Sequence, residues 1–232
     1  MRKELVLGGI TPLSTIDFPC RLAAVLYAQG CPLSCRYCHN TGLRGNHGQD
    51  VIHWDQVMTW LRHRLELLDG VVFSGGEPTA QPPLHSAIAQ VRELGFETAL
   101  HTSGIYPARL SEVLPSLNWV GLDIKAPFDQ YAQITGLRGS GAKVRLSLES
   151  VLSSGVSYEL RTTVHPLILA QDHLMSIASE LHSYGVQHWV LQEFRPQGCS
   201  DIELATSPKG LDRVLVPQLQ KFIPDITIRT AT

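Results

Sequence analysis

Val71-Val72-Phe73-Ser74-Gly75-Gly76-Glu77-Pro78 is an apolar run that stops in a glycine pair and a proline, and shortly after it Leu84, Ile88 and Val91 recur at helical spacing. A strand, a tight turn and a helix are the simplest reading. The same unit recurs on both sides of it. Strand-like runs lie at Ala23–Ala28, Glu97–His101, Trp119–Ile124, Tyr158–Val164 and His188–Glu193. Helical spacing joins Trp54, Val57, Met58, Leu61, Leu65 and Leu68, then Val144, Leu148, Val151 and Leu152, then Leu174, Ile177, Ala178 and Leu181, and last Leu211, Val214, Leu215 and Leu219. Pro107 to Leu117 is a weaker helix. Strands that are apolar throughout are covered on both faces, which helices crossing over a parallel sheet accomplish. The chain therefore reads as α/β. Six βα units approach the eight of a complete barrel, so a partial (βα)6 TIM-like barrel is expected, with a flat doubly wound sheet as the competing topology.

The chain has 232 residues, 44% hydrophobic and 17% charged, a composition that supports a packed core and excludes general disorder. With no internal repeat, low-complexity tract or Gly/Ser linker, residues 1–232 read as a single domain. Nineteen basic and 21 acidic side chains leave a formal charge of −2, with both signs interspersed, so nucleic acid is set aside as a partner. Membrane insertion is set aside too. The apolar run Leu22 to Ala28 is far shorter than the roughly 20 residues a bilayer span needs, and Met1 to Ile10 makes a poor signal peptide. Five cysteines form an odd set, and Cys31, Cys35 and Cys38 crowd together, which suits ligation in a reducing compartment better than a disulfide framework. A soluble, cytoplasmic protein is expected.

Loops that follow parallel strands gather on one face, and the chemically unusual residues lie there. The first predicted strand leads into Gln29-Gly30-Cys31-Pro32-Leu33-Ser34-Cys35-Arg36-Tyr37-Cys38-His39-Asn40, and the second into Gly75-Gly76-Glu77-Pro78. The others end in His101-Thr102-Ser103-Gly104, Asp123-Ile124-Lys125, a strand carrying Arg161, and Glu193-Phe194-Arg195. Three thiolates in a C-x3-C-x2-C loop can take three corners of an iron–sulfur cubane and leave the fourth iron open. A structural zinc site is the competing reading. It wants a fourth ligand, from His39, Cys20 or Cys199, and usually a second pair of closely spaced ligands.

Cys31-x3-Cys35-x-Tyr37-Cys38 resembles the signature of the radical S-adenosylmethionine (SAM) enzymes, and Gly75-Gly76-Glu77-Pro78 is similar to that family's second motif. Cys38-His39-Asn40, with Ser14-Thr15-Ile16-Asp17-Phe18-Pro19 upstream, resembles the activases of glycyl-radical enzymes, most of all those that activate anaerobic ribonucleoside-triphosphate reductase. The resemblance implies a barrel of the radical SAM type, a [4Fe–4S] cluster on Cys31, Cys35 and Cys38, and SAM chelating the open iron. Reductive cleavage then gives methionine and a 5′-deoxyadenosyl radical. It implies two protein partners, a glycyl-radical enzyme and a low-potential electron donor such as flavodoxin or ferredoxin. It also implies that Tyr37, Gly75, Gly76, Glu77, Lys125 and Arg161 form the SAM site. In that reading the glycines let backbone approach the cofactor, Pro78 fixes the turn, Lys125 and Arg161 meet SAM as cations, and Tyr37 shields the cluster or borders the adenine.

The sequence also departs from its relatives. Activases of pyruvate formate-lyase carry an Asp, associated with a cation site, where His101 stands, so His101 speaks against a cation there. Cys20 and Cys199 are assigned no ligand role. Two other functions fit part of the pattern: a small-molecule radical SAM enzyme resembling the deazapurine synthases, and a zinc-binding interaction module without turnover.

Overall fold

The computed structural model describes residues 4–45, 51–207 and 210–230. Met1 to Lys3, part of the segment read against a signal peptide, lie outside them. The elements run β1 (Leu7–Ser14), β2 (Ala23–Ala28), α1 (Trp54–Arg62), β3 (Gly70–Gly75), α2 (Leu84–Glu93), β4 (Glu97–Thr102), α3 (Pro107–Val113) and β5 (Trp119–Asp123). They continue with α4 (Tyr131–Thr135), α5 (Ser140–Ser153), β6 (Ser157–Val164), α6 (Gln171–Ser183), β7 (His188–Glu193), α7 (Ile202–Thr206), α8 (Val216–Leu219) and β8 (Asp225–Arg229). One sheet holds all the strands in chain order, β1 to β8. β2 through β8 are parallel and β1 joins β2 antiparallel. The strand order never reverses, which removes the doubly wound alternative and leaves the partial barrel.

Two apolar layers hold the sheet. Outside it, Val57 and Leu61 of α1, Ile88 and Val91 of α2, Val144 and Leu148 of α5, and Ile177 and Leu181 of α6 are buried against outward strand residues such as Leu26, Phe73, Leu100 and Leu122. Inside it, pairing aligns Val25, Val72, Ala99 and Trp119 in one layer, and Phe18 packs with them to fill the lower barrel. Inward side chains recur every second residue. One pleat higher they change character: β3 offers Ser74, β4 His101, β5 Gly121 and Asp123, β6 Arg161 and β7 Gln192. The apolar plug and the polar upper layer together place a cavity at the carboxyl ends of the strands.

Three expectations are corrected. β1 and β8 extend the six expected strands at the two edges. β1 carries two glycines and Pro12, which read as strand breakers, and it tolerates the proline because a register shift between Thr11 and Ser14 takes it out of regular pairing. The helix expected from Trp54 to Leu68 ends at Arg62, leaving Leu65 and Leu67 exposed. The helix expected over Leu211 to Leu219 is divided into a 3-10 turn, Arg213–Leu215, and α8, with Pro217 in the first turn of α8 and Val214 in solvent. Among the described residues no helix is long and apolar enough to cross a membrane.

Candidate functional site

A cavity of about 710 Å³ opens at the carboxyl ends of the parallel strands. Its wall includes Cys31, Cys35, Tyr37 and Cys38 from the loop after β2, Gly75 and Gly76 from the end of β3, and Asp123, Lys125 and Arg161 from β5 and β6. Of the residues expected in the site, only Glu77 does not line it.

The cysteine loop is held by its backbone. Gly30 and Cys31 donate their amides to Leu43 and Arg44, Ser34 donates to the Thr135 carbonyl, and Cys38 closes a turn onto Cys35. The Gln29 amide is bonded to the carbonyls of Gly42 and Gly45. All three thiols are free, and burial pushes Cys31 up to about 12 and raises Cys35 as well. Thiols in that state become good ligands only when a metal replaces the proton. Among the described residues no three His, Cys, Asp or Glu side chains are arranged to hold a single metal ion. The three thiols come from one loop and all line the cavity, which makes them the residues that could hold a metal centre there.

The glycine pair lines the cavity and also makes a close backbone contact of its own. Gly75 has φ +102°, and a Cβ there would stand 2.6 Å from the Ala28 amide nitrogen. A Cβ on Gly76 would run into the Gly30 carbonyl. The glycines let the end of β3 pack directly on the end of β2, where Gly76 and Glu77 donate amides to Ala28 and Gly30. Close approach is made to the base of the cysteine loop. Glu77 is fully buried behind the wall, and its carboxylate accepts from Thr79 (N and Oγ1), Thr102 Oγ1 and Ser103 (N and Oγ). It ties the turn after β3 to the end of β4, so any part it takes at the cavity is indirect. Pro78 opens a 3-10 turn, Pro78–Ala80, as expected of a turn-fixing residue.

In the same cavity, Lys125 and Arg161 share one carboxylate. Lys125 Nζ lies 3.0 Å from Asp123 Oδ2, and Arg161 donates from Nε to Oδ1 at 3.1 Å. Two cations on one anion leave a net positive charge in a largely buried wall. Burial would raise the Asp123 carboxyl, but Lys125 and Arg161 outweigh it and hold it near about 2. Burial would likewise lower the Lys125 ammonium, and Asp123 reverses this, keeping it well above the ordinary lysine range. Lys125 also sits 5.6 Å over the buried Tyr37 ring. Tyr131 completes the frame, its hydroxyl accepting from the Lys125 amide and donating to the Asp123 carbonyl.

Sequence reasoning named Asp123 and His101 at the strand ends without the roles they take here, and it missed Gly121. Gly121 leaves room for Arg161, because a Cβ there would lie 2.7 Å from the guanidinium carbon. Asp123 is the shared anion. His101, whose imidazole burial and Arg161 push down to about 3, is neutral and donates from Nε2 to the Asp17 carbonyl, pinning the β1–β2 connection inside the barrel. A small residue two positions before an Asp-x-Lys triplet was the only available signal for Gly121.

A family model described as the radical SAM superfamily matches residues 25–173. A candidate glycyl-radical-enzyme-activating enzyme of Methanocaldococcus jannaschii is 28% identical over 98% of this chain and 97% of its own length. The pyruvate formate-lyase-activating enzyme of Clostridium pasteurianum is 31% identical over 69% of this chain and 68% of its own. Streptococcus suis SuiB, solved with bound SAM, superposes on 90% of this chain with a TM-score of 0.64 at 14% identity, and the present chain spans about half (50%) of its length.

Proposed function

The chain belongs to the radical SAM superfamily, and from that membership we propose that it activates a glycyl-radical enzyme, more narrowly an anaerobic ribonucleoside-triphosphate reductase. Members of the family use a [4Fe–4S] cluster and SAM. The observation that carries the activase reading is the correspondence, along nearly the whole of both chains, with the Methanocaldococcus protein. Cys38-His39-Asn40 and the Ser14–Pro19 segment support the narrower choice of partner.

Cys31, Cys35 and Cys38 would hold three irons and leave one for the amino and carboxylate groups of SAM. When bound, cluster and SAM together supply a one-electron reduction of the sulfonium and, through it, removal of a hydrogen atom from the substrate. The chain's own residues prepare the place for this. Lys125 and Arg161 present the cationic wall that a carboxylate needs in a partly desolvated cleft, and Asp123 fixes both cations in position. Tyr37 packs beneath Lys125 and keeps water from that side. Gly75 and Gly76 seat the cysteine loop on β3, and Glu77 holds the turn behind them.

The target in this reading is a glycine Cα in a partner's extended loop, which is accessible and gives a radical stabilised by the flanking amides. The test is anaerobic incubation of the reduced, cluster-loaded protein and SAM with the reductase of the same cell, deuterated at its glycine Cα positions. Deuterium in the 5′-deoxyadenosine produced, together with a glycyl doublet that collapses on deuteration, is the expected outcome. Label staying out of the nucleoside, while a purine-precursor metabolite drives its formation, would replace the activase with a deazapurine-synthase-like enzyme.

A further inference from the structure

The segment after β7 lies against the cysteine loop and touches it at four points. The Arg36 guanidinium, between Cys35 and Cys38, reaches Asp201 Oδ2 at 2.7 Å with Nε and Glu203 Oε2 at 2.7 Å with Nη2. Asp201 is at the same time the N-cap of α7, its Oδ1 accepting from the Leu204 amide, so Arg36 is latched to the start of a helix. Cys199 Sγ donates to the Arg36 carbonyl at 3.4 Å. Gly198, at φ +79°, brings its α-carbon so close to the His39 carbonyl that a Cβ would collide with it. The His39 and Phe194 rings meet at 5.4 Å. Phe194 and Leu204, at the two ends of the segment, are fully buried, so it is anchored on both sides of the part that touches the loop.

We propose that Phe194 to Glu203 is a clamp that keeps the cysteine loop closed on its metal centre, with Arg36 as its catch and Gly198 as the point of closest backbone contact. Arg36 is a positioning residue: its cation faces away from the thiols and toward two carboxylates, so it acts on the metal only by holding the loop that carries the ligands. Each ion pair is solvent-exposed and weak alone. Two on one guanidinium, added to backbone contacts that need a glycine, make loop opening a local event separate from unfolding of the sheet. Release of iron and entry of chelator would be governed by that opening. The inference rests on Cys31, Cys35 and Cys38 being the cluster ligands.

The experiment loads the full chain anaerobically with iron and sulfide and follows iron loss to an excess of a colourless-to-coloured ferrous chelator. Arg36→Gln should lose iron about three- to tenfold faster than the unaltered chain, the span expected from two exposed ion pairs, and Gly198→Ala should also lose it faster because its Cβ would meet the His39 carbonyl. Arg36→Lys should recover part of the difference, and added salt should speed loss from the unaltered chain while leaving Arg36→Gln little changed. Amide exchange on the unloaded proteins gives a second readout: protection over residues 31–40 should fall in Arg36→Gln while β3 to β6 keep theirs. Equal rates of iron loss with unchanged protection would overturn the clamp. Failure of the unaltered chain to take up iron at all would instead overturn the ligand assignment under Proposed function.

Discussion

Gly121 has no side chain, and the Arg161 guanidinium occupies the space one would take. Gly121→Ala should therefore displace Arg161 from Asp123 without touching a thiol. SAM affinity should fall roughly ten- to hundredfold, the range for one charge-assisted contact, while iron content stays unchanged; equilibrium binding and an iron assay on the same preparation check both. Arg161→Ala and Lys125→Ala should act in the same direction. The cysteines make the sharper case. Cys→Ala at 31, 35 or 38 should abolish cluster absorbance and SAM cleavage, and Cys20→Ala and Cys199→Ala should retain both. The three thiols were legible because their spacing in one loop is itself the signal. Asp123 and Gly121 were not, because their significance depends on an arginine 38 residues from Asp123 that only the pairing of β5 with β6 brings alongside.

Elements were legible where burial on both faces writes a short apolar centre into the strand. β2, β4 and β7 fall close to their expected limits for that reason, whereas the edge strands β1 and β8 are half-exposed and mix glycine, proline or polar residues into the pattern. What the pattern could not convey is the coupling between elements. His101 on β4 holds the β1–β2 connection through the Asp17 carbonyl, and does so as a neutral imidazole. Its folded-state value near 3 lies below the roughly 6.5 of an unfolded histidine, so between those values the unfolded chain binds more protons than the folded one. The histidine's contribution is therefore full above about pH 6.5 and declines as pH falls toward 3. Asp123 acts in the same direction, but its ionisation changes only between about 4 and about 2, so it is silent above pH 5. Urea titrations of the unloaded protein at pH 7.5 and 5 should show a total loss of about 2 kcal/mol from His101, nearly all of it below about pH 6.5. His101→Gln should flatten the dependence; an unchanged slope would remove His101 as its source.

At the scale of the molecule, an apolar plug closes the lower barrel and a polar layer lies above it. The upper cavity brings together three free thiols and a cationic pair with a single shared carboxylate, and Lys125 lies over the Tyr37 ring of the cysteine loop. That combination suits a metal centre with one open corner facing a zwitterionic ligand, and the cofactor reading of the site depends on it. The most direct measurement is electron paramagnetic resonance of the anaerobically reconstituted, dithionite-reduced protein, recorded with and without SAM and repeated on Lys125→Ala. A cluster signal whose g-values shift when SAM is added, and which shifts less or only at higher SAM in Lys125→Ala, is the expected result. A signal indifferent to SAM, or a colourless protein that takes up a single zinc ion and no iron, would mean that the thiols and the cationic wall do not form one site.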